Sequence, residues 1–399
     1  MISGANLARL RDASRRNGLL LSTSAAHLTN DACFALLYPL LPFISDDLGL
    51  SYSQVGLLKA TFSGSSSVLQ IPTAAVGARF GEQLVLLLGN AWVGAGLAAM
   101  GLAGGFFSLL LLATLAGVGG NAQHPLGAAL ISRHFEGRRL ATAMGTLNFS
   151  GDLGKLLGPF VAGFVALQFG WRVALVAVGL PTALLSILLL IGPRHEERSH
   201  ATGATSDGER SQDGGNRRGF RLVLAAGGLD NATRGAALTF LPFVLADKGM
   251  DAASISLLFG VIFAAGAAGK FGCGWISDRW SLMAVIVITE VVTAGALLAM
   301  LGASRALVVP LALAFGFALN GTSSALNVAV ARFVPAERRG SGYGVYFTVA
   351  LVSSAVAPLA YGILGDATGL TAVFISMAVL TLTVILVLYP IRGALLALD

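Results

Sequence analysis

The feature that most constrains this chain is a succession of long apolar stretches broken by short polar ones. A helix needs ~20 apolar residues to cross a bilayer. Hydropathy windows place helices near 18–44, 52–78, 84–104, 106–133, 139–168 and 172–192. A second set falls near 220–246, 253–277, 281–303, 306–331, 340–365 and 371–391. The expectation is an all-α membrane protein with twelve transmembrane helices. Of the 399 residues, 12% are charged, about half the ~25% typical of soluble domains. That leaves too little polar surface to coat a water-soluble globule. The net charge of +6 does not point to nucleic acid, because the basic residues lie between apolar spans. Cys33 and Cys273 sit inside spans, so no disulfide framework is expected. The first span is too long for a signal peptide and contains His27 and Asp31.

The organisation read from these spans is a cytoplasmic segment 1–17, a six-helix bundle 18–192, a linker 193–219, a second six-helix bundle 220–392 and a tail 393–399. The linker is polar and nearly free of large apolar side chains, so nothing in it can offset the entropy of folding. Lysine and arginine placement sets the orientation. One side collects, among others, Arg15, Arg16, Arg79, Arg133, Arg138, Arg139, Arg279, Arg338, Arg339 and Arg392, whereas the other has Arg172, Lys248 and Arg305. Both termini and the linker are therefore expected in the cytoplasm.

The halves repeat at an offset near 200 residues. Leu41-Pro42-Phe43 recurs as Leu241-Pro242-Phe243, and Asn30-Asp31 as Asp230-Asn231. Arg79 recurs as Arg279, and Arg138-Arg139 as Arg338-Arg339. Both halves start on the same side, which gives parallel repeats with a site at the midplane between them.

On these residues the chain resembles the major facilitator superfamily over nearly its whole length. Gly274-Trp-Ile-Ser-Asp278-Arg279 looks like that family's loop motif, where a carboxylate and an arginine latch the cytoplasmic side. The first-half copy, ending Ala78-Arg79-Phe80-Gly81, lacks the acid and continues into Glu82 and Gln83. Gly154-Lys-Leu-Leu-Gly158-Pro159 in the fifth helix is similar to the superfamily's antiporter motif. Small residues every four positions let helices approach closely, and proline permits bending. The resemblance therefore implies gating roles for Arg79, Gly154, Gly158, Pro159, Asp278 and Arg279. Within the superfamily, His27-x-x-Asn30-Asp31, Ser51 to Leu58 and His124-Pro125 resemble the fosmidomycin-resistance branch of efflux proteins. A fourth-helix arginine common in the superfamily is absent between Thr114 and Gly120, so coupling must use other groups.

Charge in mid-membrane costs ~2.5–3.5 kcal/mol on insertion scales and is a functional hypothesis by default. Asp31, with His27 one turn away, is expected to carry protons, with Asp152 and Asp230 as further proton sites. Asp230 and Arg234 are spaced to pair along one helix face, as are Asp152 and Lys155. Candidate substrate contacts are Asn30, Lys59, Asn121, His124, Lys155, Asn231, Arg234, Asn320 and Asn327. Lys59 is read as a cavity-facing cation for an anionic group, Lys270 as a snorkelling side chain and Glu290 as structural.

The expected function is proton-coupled export of a small anionic or amphiphilic compound by alternating access, with import by symport as the alternative. The expected energy source is a proton gradient, with no cofactor and no metal. The expected partners are a small-molecule substrate and the lipid bilayer of a bacterial inner membrane, with no nucleic acid and a monomeric state. His27, Asp31 and His124 could mimic a ligand set of a membrane enzyme. Yet no HExxH, GxSxG or phosphate loop occurs, so no enzyme is expected.

Overall fold

The computed structural model describes residues 4–68, 70–191, 217–277, 279–335 and 338–396. Most of the expected linker 193–219 and Asp278 lie outside these residues. The first half contains α1 (Gly4–Ala35), α2 (Leu37–Leu48), α3 (Tyr52–Val68), α4 (Gln70–Phe80), α5 (Glu82–Met100), α6 (Phe106–Gly119), α7 (Gln123–His134) and α8 (Gly137–Ile191). The second contains α9 (Arg217–Asp247), α10 (Ala252–Ser277), α11 (Leu282–Gly302), α12 (Arg305–Phe333), α13 (Arg339–Thr368), α14 (Leu370–Leu388) and α15 (Arg392–Leu396). The fold is all-α.

Among the described residues, nine helices are long and apolar enough to cross a membrane. Three of the expected spans are not counted separately among these nine. The two helices expected at 139–168 and 172–192 are both present within Gly137–Ile191 and meet at Gly170, whose φ of 79° and ψ of 167° are non-helical. The stretch 52–78 is helical on both sides of residue 69, which lies outside the described residues. In α9, Arg221, Asp230 and Arg234 dilute the hydropathy. A further difference lies within the expected helix 106–133. A 3₁₀ turn at Gly120–Ala122 separates α6 from α7, and such a mid-helix tightening often marks a hinge.

The repeat extends to backbone geometry. Gly170 and Gly369 have φ of 79° and 81°, and Gly49 and Gly249 have φ of 62° and 71°. These are left-handed conformations in which a Cβ is strained. Each pair lies at the repeat offset, so the same turn chemistry recurs in each half.

By contacts the chain divides into two compact units. One comprises Met1–Leu37 with Thr61–Ser206, and the other Tyr38–Ala60 with Asp207–Asp399. In the first unit α8 packs closely on α1. A Cβ at Gly158 would lie 2.5 Å from the Ala32 carbonyl oxygen, and one at Gly154 would collide with the Leu28 carbonyl. The expected small-residue stripe is therefore a close-packing surface.

The second unit includes Tyr38–Ala60 because that segment is bonded into it. The Asp366 carboxylate accepts hydrogen bonds from the backbone N–H groups of Tyr52 (2.7 Å) and Ser53 (3.0 Å). These N–H groups open α3 and have no partner within their own helix. Gly56 meets the Pro358 carbonyl, and Gly362 meets that of Tyr52. The core of the same unit gathers Val223, Ile286, Leu326, Val330 and Leu388 from α9, α11, α12 and α14.

Candidate functional site

The close approach of α8 to α1 places charge beside charge in the first unit. A Cβ at Gly151 would lie 2.7 Å from His27 Nε2 and 2.8 Å from Asp31 Oδ2. The missing side chain thus leaves room for both groups. Asp31 is 4% exposed, and its Oδ2 sits 3.1 Å from Lys155 Nζ and 3.5 Å from His27 Nε2. The same ammonium lies 3.2 Å from Asp152 Oδ1. Lys155 therefore bridges two carboxylates, one from α1 and one from its own helix. The rings of His27 and His124 meet edge to face at 5.2 Å. His27 is buried and His124 exposed, so the cluster runs from the interior to an accessible edge.

His27, Asp31 and His124 each offer a ligand atom, and these atoms lie within 4.8 Å of one another. The Lys155 ammonium on the same carboxylate already supplies positive charge there. The set works as an ion-pair cluster and is poorly suited to a divalent cation. Asn30 is buried, and its Nδ2 has no hydrogen-bond partner among the described residues. Buried Gln123, at the start of α7, has no partner for either amide atom. The sequence reading missed Gln123, although its place after a glycine-broken helix was a usable signal. The side chain of Asn121 lies outside the described residues.

The second unit contains a different arrangement. Arg234 Nη1 donates to Asn320 Oδ1 at 2.7 Å, and Nη2 donates to Ser323 Oγ at 2.5 Å and to the Leu319 carbonyl. Ser323 Oγ in turn donates to Asp230 Oδ2 at 3.4 Å. The expected direct pairing of Asp230 with Arg234 is not observed. The guanidinium reaches across to α12, where its fork meets three acceptors, and Ser323 relays it to the carboxylate. Asn231 donates to the Gly227 carbonyl of its own helix at 2.9 Å, and the Asn327 carbonyl accepts from Tyr343 Oη at 2.9 Å. Lys59 groups with this unit too. It is buried, with its Nζ 4.1 Å from the centroid of the Tyr38 ring, a cation–π geometry.

The expected gating residues separate. Arg79 lies over the Phe80 ring and Arg279 over that of Trp275. In the first unit the ion pair at this level joins Arg133 Nη2 to Glu82 Oε1 at 2.9 Å. It links the first turn of α5 to the last turn of α7, the polarity that the helix dipoles favour. A separate cleft of about 390 Å³ in the second unit is lined by Asp46, Tyr52, Asp247 and Asp366 among others, and none of the expected site residues borders it.

Known proteins match both the sequence and the fold. The sequence profile of the Major Facilitator Superfamily matches twice, over residues 23–225 and 223–396. A fosmidomycin resistance protein of Escherichia coli (strain K12) is 30% identical over 173 residues, 43% of this chain and 42% of that one. The alignment thus spans less than half the length of that relative. A gallate transporter of Pseudomonas putida is 26% identical over 342 residues, 75% of each chain. Among solved structures, a bacterial homolog of the human lysosomal transporter Spinster, in an inward-facing and unoccupied conformation, superposes with a TM-score of 0.77. It covers 96% of both chains at 16% identity.

Proposed function

The chain belongs to the major facilitator superfamily, and from that membership we propose that it is a proton-coupled secondary transporter moving a small organic anion or anionic amphiphile by alternating access. The bilayer is its solvent, both termini face the cytoplasm of a bacterial inner membrane, and the protein works as a monomer.

The observation that carries this reading is the contact of Lys155 with Asp31 and Asp152 beside His27. A buried carboxylate is tolerable while its cation is present. When Asp31 takes a proton, Lys155 loses one of its two anions and can hold an anionic cargo instead. The cargo's charge is then balanced by the proton just acquired. Proton and anion therefore favour each other's binding, and linkage makes that coupling reciprocal. Asn30 and His124 supply further polar atoms at the same place, and Arg234 with Asn320 supplies a second polar surface in the other unit.

This coupling moves proton and anion in the same direction. A second reading, exchange of internal cargo for external protons, is favoured by the relative named for fosmidomycin resistance. It requires a cargo that competes with the proton at Asp31. Liposomes containing the purified protein and a pH-sensitive dye separate the two. Added gallate, the compound named for another relative, or a related carboxylate should acidify the lumen under co-movement. Alkalinisation would establish exchange. A lumen indifferent to every small anion offered, with flux that ignores an imposed pH gradient, would remove proton coupling.

A further inference from the structure

A cavity of about 210 Å³ lies in the second unit where α12 ends and α9 and α13 begin. Its walls include Arg217 and Phe220 of α9, Phe333 at the end of α12, and Arg338, Ser341 and Val345 around the start of α13. Two glycines let these elements converge. A Cβ at Gly342 would lie 2.9 Å from the Val334 side chain, and one at Gly219 would collide with the Phe333 ring. The Ser341 hydroxyl donates to the Arg338 carbonyl at 3.0 Å, which ties down the turn carrying the second arginine.

The cavity is positive at one side and apolar at the other. No acidic residue lines it among the described residues. Helix α9 carries Arg217, Arg218 and Arg221 before its first acid, Asp230, and α13 carries Arg339 and no acid until Asp366. The apolar side continues beyond the cavity. Val345 is followed along α13 by Val352, Val356 and Ile363, each about half exposed. That spacing puts the four side chains on one face of the helix. The membrane span in α13 is also the least buried of the nine, at 28%. Two arginines thus stand at the head of an apolar strip.

We propose that this cavity binds an anionic phospholipid, with Arg217 and Arg338 flanking its phosphate and an acyl chain lying along Val345 and Val352. Guanidinium groups meet phosphate through charge-assisted hydrogen bonds, and basic pockets between transmembrane helices hold anionic head groups. A soluble anion would satisfy the arginines and leave the strip unused. A zwitterionic lipid would bring its own ammonium against two guanidinium groups. An anionic lipid meets both walls, and in doing so ties the start of α9 to the start of α13 across the end of α12. The site is separate from the Asp31 and Arg234 clusters and does not depend on which cargo is carried.

Native mass spectrometry of the full-length protein, titrated in detergent with phosphatidylglycerol or phosphatidylcholine, counts bound lipids and gives their affinities. Wild type should hold one phosphatidylglycerol molecule more tightly than phosphatidylcholine. Arg217→Gln with Arg338→Gln should weaken that binding by about tenfold. Arg15→Gln with Arg392→Gln removes the same charge from exposed positions outside the cavity and should leave it unchanged. Val345→Asp, which puts a carboxylate on the apolar wall, should weaken it as well. Equal loss in the two double variants would reveal diffuse charge attraction and overturn the proposal, as would equal retention of phosphatidylcholine or no retained phosphatidylglycerol. Displacement of the lipid by soluble glycerol phosphate at matched concentration would overturn it in favour of a free phosphate. A liposome assay that fails to show proton coupling leaves all of these results untouched.

Discussion

The two buried polar clusters start from corresponding positions of one repeat and reach different solutions. In the first unit a flexible ammonium touches two carboxylates, with two imidazoles alongside. In the second, a planar guanidinium is held by an amide, a hydroxyl and a backbone carbonyl, and Asp230 meets it through that hydroxyl. Lysine presents a mobile point charge, whereas arginine presents a fixed fork. The first cluster is thus suited to exchanging partners and the second to keeping its geometry. The difference teaches that a duplicated fold need not divide a transport cycle evenly. Under the proposed function, exchange of partners falls to the Lys155 cluster and fixed recognition to the Arg234 cluster.

Removing the mobile cation should break the contrast most completely. Lys155→Met leaves Asp31 buried with the imidazoles of His27 and His124 beside it. Transport should fall by at least 100-fold. A broken buried pair costs ~3–5 kcal/mol. Lys155 is 34% exposed, so solvent screening reduces the expected loss to about 2 kcal/mol. Denaturation in lipid nanodiscs and liposome flux measure the two effects separately. Asp31→Asn should keep the fold and make residual flux independent of pH. Unchanged pH dependence in that variant would assign coupling elsewhere.

The fork in the second unit should be less tolerant of shape than of charge. Arg234→Lys keeps the charge and loses the simultaneous contacts to Asn320 and Ser323. Substrate affinity should weaken about tenfold, the loss of one or two hydrogen bonds to a charged group, while the pH profile set by Asp31 is retained. Lys155→Arg should do the reverse and disturb the pH profile more than the affinity. Equal behaviour of the two swaps would erase the proposed division of labour.

A smaller effect should follow from moving α8 without touching any charge. Gly154→Ala puts a Cβ against the Leu28 carbonyl, so α8 must retreat from α1 and Lys155 from Asp31. Overpacking of this kind costs ~1–3 kcal/mol. Gly145→Ala, on the same helix with nothing within 4 Å of the added atom, should be close to neutral. Crosslinking yield between cysteines placed on α1 and α8 reports the separation directly.

Some of this was legible in the sequence, and the reason is periodicity. Asp31, His27, Asp152 and Lys155 stand out because charge is rare in apolar spans, and the glycine spacing around Gly154 announces a close contact. What escaped depends on tertiary neighbours. Nothing local shows that Arg234 prefers Asn320 and Ser323 on α12 to Asp230 one turn away. The binding of Tyr52 and Ser53 by Asp366 joins residues more than 300 positions apart, so no window of the sequence contains it.

The mildest test compares two helix starts at the repeat offset. Ser51 caps α3, its Oγ accepting from the Gln54 N–H at 3.3 Å while Gln54 Oε1 accepts from the Ser51 N–H at 2.9 Å. That reciprocal pair is a capping box. Asp251 caps α10, its Oδ1 accepting from the Ser254 N–H at 2.7 Å. The first cap has no group that titrates in acid, whereas the second does. The backbone hydrogen bond from Ser254 holds the Asp251 carboxyl below its ordinary value. A depressed native value means stability that is present above the unfolded carboxyl's range, near 3.9, and lost as pH falls through the folded value. Asp251→Ala should therefore cost about 1 kcal/mol at neutral pH, and that deficit should shrink towards zero as the solution is acidified. The Ser51→Ala deficit should stay level over the same range. Melting both variants against wild type from neutral to acid pH measures the two differences, and a deficit at Asp251 that stays level in acid would show that its carboxylate charge contributes nothing to the cap.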